Sequence, residues 1–258
     1  MDGEHIRSIN PKKTDYKYIG KLNMIFKKKL ASLLFSIIAL QVTAYELVDE
    51  EKNQEDPTKI VTRVGAGYNG ELTLSGSLGL DEARMLSGNI NSDASEWRIG
   101  GSWLFSKGIV NFNFKKNQYD SGGDSTSYNL GTFVPLSVFG VKPAGWQLFP
   151  AFGYNYTEGR TAVPTTHSYQ SQLLMVPIES HGAYLGMLAL KPISNGLTLM
   201  LGGGGSAGSN NTNNGYLGGG VSYRIDDNQS INSFGIVSNS SQFGSKSTLS
   251  INYRYEFN

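Results

Sequence analysis

The sequence predicts an all-β fold: a membrane-spanning, antiparallel, up-and-down β-barrel of ten strands, with twelve as the alternative count. Three observations carry this expectation. The last stretch, Thr248 to Asn258, alternates Leu249, Ile251, Tyr253, Tyr255 and Phe257 with Thr248, Ser250, Asn252, Arg254 and Glu256. Successive strand side chains point to opposite faces, so this segment has an apolar, mostly aromatic face and a polar one. A spanning barrel needs many such strands, with apolar faces toward lipid and polar faces toward the lumen. The composition agrees. The 258 residues are 39% hydrophobic and 17% charged, an average that resembles a soluble protein but also suits strands that are apolar only at alternate positions. The 32 Gly, 14 Tyr and 12 Phe fit closely approaching strands and aromatic girdles. The third observation is an export leader.

Residues 1–23 are basic and polar without a period, and are expected to be an upstream extension preceding a second methionine, Met24. From there a secretory signal peptide, 24–44, is expected. Lys27, Lys28 and Lys29 are its positive region, Leu30 to Leu40 its apolar region, and Gln41-Val42-Thr43-Ala44 its cleavage site, with cutting after Ala44. The apolar run is well short of the ~20 residues that span a bilayer. Of 22 Lys and Arg, 8 precede residue 45, and of 21 Asp and Glu, 3 do, so the remainder carries a net charge of about −4. Nothing basic enough for nucleic acid remains. The absence of cysteine excludes disulfide frameworks, thiolate metal sites and thiol nucleophiles. Residues 45–58, with Glu46, Asp49, Glu50, Glu51, Glu55 and Asp56, form an acidic periplasmic lead-in, expected to be solvated and without a role.

The barrel is expected over 59–258. From Ile60 to Leu80 the even positions stay apolar in one phase. A two-residue turn at Asn69-Gly70 would pair Tyr68 with Glu71 and turn Leu72 and Leu74 to the opposite face, so one long first strand keeps the pattern. Trp97 to Phe105 and Val110 to Phe114 form a hairpin about Ser106-Lys107-Gly108, and Tyr128 to Val138 and Trp146 to Tyr156 follow. In the latter, Pro150 would forfeit a ladder bond. The longest irregular stretch is 157–180, although Tyr169 to Ile178 suits an additional strand. His181 to Leu190, Leu197 to Ser206, Leu217 to Ile225, Ile231 to Ser238 and the terminal strand complete the count. With the final strand ending in the periplasm, the connections near 81–95, 117–127, 157–180, 209–215 and 240–246 share one side. Those near 106–108, 140–145, 192–196 and 226–229 share the other and are mostly shorter, as in barrels with long extracellular loops and short periplasmic turns. Splitting the first strand at Asn69-Gly70 and adding Tyr169 to Ile178 gives twelve strands, with the asymmetry lost.

A cleavable leader, alternating strands of about ten residues, and a terminal strand ending Tyr253-Arg254-Tyr255-Glu256-Phe257 resemble a small bacterial outer-membrane β-barrel of the porin-like kind, over roughly residues 59 to 258. The resemblance implies an assembly signal at Tyr253, Tyr255 and Phe257, followed here by Asn258. It also implies outer-membrane lipid, periplasmic chaperones and barrel-assembly machinery as partners.

Lumen-facing polar candidates are Arg63, Glu71, Glu96, Arg98, Lys115, Arg224, Arg254 and Glu256. They suit either a charged, water-filled pore or a paired network filling a narrow barrel, the size argument favouring the filled one. No catalytic residues are assigned. His167-Ser168 and Glu179-Ser180-His181 hold the right residue types, but strand neighbours point to opposite faces. No metal-ligand spacing occurs and no cofactor is expected. Gly202-Gly203-Gly204-Gly205 lacks the Lys-Ser/Thr of a phosphate loop, and close packing explains it better. Trp97, Trp103 and Trp146 fall on the lipid-facing phase, as girdle residues. The expected role is structural or porin-like without enzymatic activity; the alternatives are an adhesion or receptor barrel acting through its loops and, further off, a lipid-modifying enzyme.

Overall fold

The computed structural model describes residues 52–120, 122–164, 173–241 and 244–257. The leader, its cleavage site at Ala44, and His167 and Ser168 lie outside them. The described residues contain β1 (Thr62–Tyr68), β2 (Leu72–Gly79), β3 (Arg84–Asn91), β4 (Glu96–Phe105), β5 (Gly108–Gln118), β6 (Asp124–Phe133), β7 (Gln147–Pro164), β8 (Leu173–Pro192), β9 (Leu197–Gly208), β10 (Asn213–Arg224), β11 (Gln229–Ser240) and β12 (Gly244–Phe257). Each pairs antiparallel with its sequence neighbours, and β12 closes on β1 from Thr62 opposite Phe257 to Tyr68 opposite Ile251. Closure leaves no edge strand to template aggregation.

Twelve strands are therefore present rather than ten. Asn69-Gly70 does turn, and the phase survives because the turn holds a third residue, Glu71. Tyr68 then pairs with Leu72, so the even positions stay outward on both arms, and Gly70 takes the positive φ of 112° that the bend demands. The stretch 81–95, expected as a loop, contains β3. Its outward residues Leu86, Gly88 and Ile90 are too mixed to stand out, and Asp81 fixes its start by accepting the Ala83 and Arg84 amides. Residues 173–178 begin β8 and form no separate strand. β6 stops at Phe133, short of the expected Val138, because Pro135 cannot donate to a ladder; two short 3-10 turns, Leu136–Phe139 and Pro143–Gly145, follow. Pro150 stands just past the last β6–β7 pair, and its carbonyl accepts the Val134 amide at 3.0 Å.

The end where β1 starts and β12 finishes also carries 80–83, 106–107, 134–146, 193–196 and 225–228. The opposite, loop end carries 69–71, 92–95 and 209–212, and there the β5–β6, β7–β8 and β11–β12 pairings also end. The sorting of connections by side holds except at 81–95, which β3 divides between the two ends, and the length asymmetry does not hold, since the longest described connection, 134–146, is at the terminal end. What projects at the loop end is the β7–β8 hairpin. β6 pairs β7 only to Arg160 and β9 pairs β8 only from Gly182, while β7 and β8 pair with each other to Pro164 and Leu173.

The outward face is apolar. Leu74, Leu86, Ile99, Leu185, Leu217, Val237, Leu249 and Ile251 are all exposed, a continuous belt of the kind soluble monomers avoid. An aromatic row borders it near the loop end, Trp97, Phe114, Tyr128 and Tyr156 on β4 to β7, with successive centroids 5.3, 5.3 and 6.1 Å apart. Near the terminal end stand Trp103, Tyr253, Tyr255 and Phe257, the last two in edge contact at 5.0 Å.

Inward glycines make room for inward aromatic rings. A Cβ at Gly131 or Gly153 would overlap Tyr184, one at Gly186 or Gly204 would crowd the Tyr216 hydroxyl, and one at Gly218 or Gly220 would meet Phe234. The Gly202–Gly205 run thus serves close packing. Gly153→Ala should cost about 1–3 kcal/mol by overpacking, because Tyr184 and the Leu130 carbonyl occupy its space. Gly215→Ala, with nothing within 4 Å, should be neutral. Urea titration followed by unheated gel migration measures the difference.

Candidate functional site: the lumen and its strap

The described end of the acidic lead-in, 52–58, is not free in solvent; with Lys59 it forms a strap inside the terminal end of the barrel. Two consecutive turns build it. The Asp56 amide donates to the Asn53 carbonyl at 3.0 Å and the Lys59 amide to the Asp56 carbonyl at 3.1 Å. Asn53 Oδ1 accepts the Glu55 amide at 2.9 Å, and Asp56 Oδ1 accepts both the amide and the hydroxyl of Thr58 at 2.7 Å. Pro57 occupies the position whose fixed φ presets such a turn. Gln54 and Thr58 are buried.

Glu55 is the anchor. Its Oε1 accepts from Ser222 Oγ at 2.8 Å and Asn232 Nδ2 at 3.0 Å, and its Oε2 from Arg254 Nη1 at 2.8 Å. The three donors come from β10, β11 and β12. Asn252 donates to Asn232 Oδ1 at 2.9 Å, which leaves the Asn232 amide group to face Glu55. Asn53 Nδ2 reaches Thr198 Oγ1 on β9 at 2.9 Å, and Lys59 pairs with Glu256 on β12. Burial alone would push the Glu55 carboxyl up, but Arg254, Asn232 and Ser222 together outweigh it and hold the group below its ordinary value of 4.5. A depressed carboxyl stabilises the strap fully above its unfolded pKa, and that contribution disappears as pH falls through the folded value. Hydrogen exchange over 52–59, scaled by its intrinsic rate, should accordingly show protection at neutral pH that is lost reversibly once the pH is well below 4.5.

The strap separates two cavities. On the loop side lies a vestibule of about 420 Å³, whose lining includes Arg63, Arg98, Arg254, Asn113, Asn129 and, from the strap, Pro57. On the terminal side lies one of about 240 Å³, lined by Asn53, Gln54, Thr198, Ser222 and Arg224 among others. Beside the strap the lumen holds an apolar cluster, contrary to a wholly polar lumen: Phe149, Leu190 and Met200 on β7 to β9 are buried, with Phe133, Leu188 and Phe234 packed against them. One half of the terminal mouth is thus filled by barrel side chains and the other by the strap.

Of the polar candidates, Arg63, Arg98 and Arg254 line the vestibule and Arg224 the lower cavity. Glu256 is buried beneath, its Oε1 3.9 Å from Arg63 Nη1. Glu96 and Lys115 pair at 2.8 Å toward the loop end, and Arg98 Nε donates to Asn89 at 2.8 Å. Glu71 is the exception: it sits in the β1–β2 turn at the rim, accepting from Asn91 at 2.6 Å, because the third turn residue takes it out of the strand. Ser180 and His181 lie on opposite faces. Ser180 meets Thr212 at 2.8 Å, while the His181 ring packs 6.2 Å from Tyr154 on the outward face. Among the described residues no acid and histidine group has metal-binding geometry.

No family model and no curated protein matches the sequence. Solved structures do match. The translocator domain of the autotransporter NalP from Neisseria meningitidis is 13% identical, with a TM-score of 0.58 over 78% of this chain and 90% of that one. The KdgM porin, solved with disordered oligogalacturonate, is 11% identical with a TM-score of 0.45, covering 77% and 100%. The beta domain of the Bordetella autotransporter BrkA is 11% identical with a TM-score of 0.41, covering 76% and 98%. The closed twelve-stranded sheet, its outward apolar belt and the overlap with the translocator domain give one conclusion: in fold, this chain is a small outer-membrane β-barrel.

Proposed function

We propose that the protein is an integral outer-membrane barrel of a Gram-negative bacterium, exported by its leader and folded by the barrel-assembly machinery, with a porin-like path that its own N-terminal strap holds shut. It works without enzymatic activity. The observation that carries this reading is Glu55, held by three donors of the barrel wall between two separate cavities. Twelve strands enclose more than side chains alone need fill, and the strap occupies the remainder. Membrane insertion is supported by the apolar belt and its aromatic borders; the loop end then faces outward and the strap the periplasm. The purified mature barrel should migrate faster unheated than heated on detergent gels and stay nearly silent in planar bilayers. Steady, high conductance in the unmodified barrel would sink the closed state.

The projecting β7–β8 hairpin favours a second reading, a surface-contact role. Its test is removal of 161–178, which on that reading abolishes binding of intact cells to a surface while the barrel still assembles.

A further inference from the structure

We propose that the socket holding Glu55 is an oxyanion receptor that the strap shares with small carboxylate solutes, so that a solute carboxylate arriving through the vestibule displaces Glu55 and opens the lumen. This rests on the strap-closed reading above.

The socket belongs to the barrel wall. Ser222, Asn232 and Arg254 stand on three adjacent strands, and Ser222 and Asn232 are 3% and 5% exposed. Asn252 orients Asn232, so two neutral donors and one guanidinium converge on a single carboxylate whatever molecule carries it. Charge-assisted bonds of this geometry are the strong ones. Arg254 also lines the vestibule beside Arg63 and Arg98, and no Asp or Glu shares that lining. An anion entering from the loop side passes Arg98 and its neighbour Glu96 and then meets the socket's own arginine, while the carboxylates paired with Arg254 and Arg63, Glu55 and Glu256, lie toward the terminal end. The strap is tethered to β1 through residues 60 and 61, and a short tether gives an effective concentration in the ~mM range. A free carboxylate at ~100 mM thus competes on favourable terms, helped by the strap's dependence on one carboxylate for its central hold.

The test uses the mature barrel in planar bilayers at neutral pH, with sodium glucuronate as probe and glucose at matched ionic strength as control. Glucuronate at ~100 mM should raise the open probability roughly tenfold and glucose should not. Tryptic cleavage after Lys59, read by mass spectrometry, should rise in parallel. Glu55→Gln, with its folding verified by heat-modifiable migration, should be open without glucuronate and indifferent to it. If Glu55→Gln opens but glucuronate leaves the unmodified barrel shut and uncleaved, competition at the socket is wrong and the strap-closed reading survives. If the two barrels conduct alike from the start, the strap-closed reading itself fails.

Discussion

Deleting residues 52–59 should convert a nearly silent barrel into a steadily conducting one, with current higher by roughly tenfold or more for a twelve-stranded lumen. The reason is the division of the terminal mouth. Phe149, Leu190 and Met200 belong to β7, β8 and β9 and remain after the deletion, but on the side of β10 to β12 it is the strap, through Glu55, that stands between the two cavities. Removing it merges the cavities lined by Arg254 and by Arg224. The same deletion leaves Arg254 without Glu55 and Glu256 without Lys59. Both partners stay in a wet lumen, so the stability lost is about 1–3 kcal/mol, small beside closure of the whole sheet. Planar-bilayer recording with a parallel urea titration separates the two effects.

Leu217→Arg should block membrane assembly. Leu217 is 66% exposed on the outward face of β10, in the apolar groove it shares with Leu201 and Leu249. A guanidinium near the bilayer midplane costs about 2–4 kcal/mol on the lipid face of a barrel, enough to stall folding. Asn113→Arg, facing the vestibule, introduces the same charge into water and should be tolerated. The heat-modifiable fraction recovered from membranes distinguishes them; equal recovery would contradict the assignment of inner and outer faces.

Much of the barrel was legible in alternation. The terminal strand, the Trp97–Phe114 hairpin and the outward phase of Leu249 to Phe257 follow from a period of two, which survives any uncertainty about which strand is which. Strand number was harder because it depends on turn geometry. Asn69-Gly70 signals a bend, but whether two or three residues form it decides which face Leu72 takes, and only the cross-strand pairing fixes that. β3 was hidden because Gly88 occupies an outward position where an apolar residue would have shown the period. The lumen was legible as polar along β1, β4 and β12, where Arg63, Arg98 and Arg254 alternate with apolar neighbours. It was illegible around Phe149, Leu190 and Met200, where β7 to β9 turn apolar side chains to both faces and alternation vanishes locally. The strap was read as solvent-exposed because its acids suggested hydration. Its turn chemistry, Asn53 followed by Asp56-Pro57, pointed to local order, but the partner of Glu55 lies 199 residues away and no local signal names it.

The strap as a removable gate is tested most directly by locking it. Asn53 and Thr198 touch at 2.9 Å in a chain without cysteine, so Asn53→Cys with Thr198→Cys introduces the only thiol pair. In a Glu55→Gln background, channels should stay shut while the cross-link is intact and open once reductant severs it. Currents that ignore the state of the cross-link, in barrels whose cross-link is verified by mass, would contradict the gate.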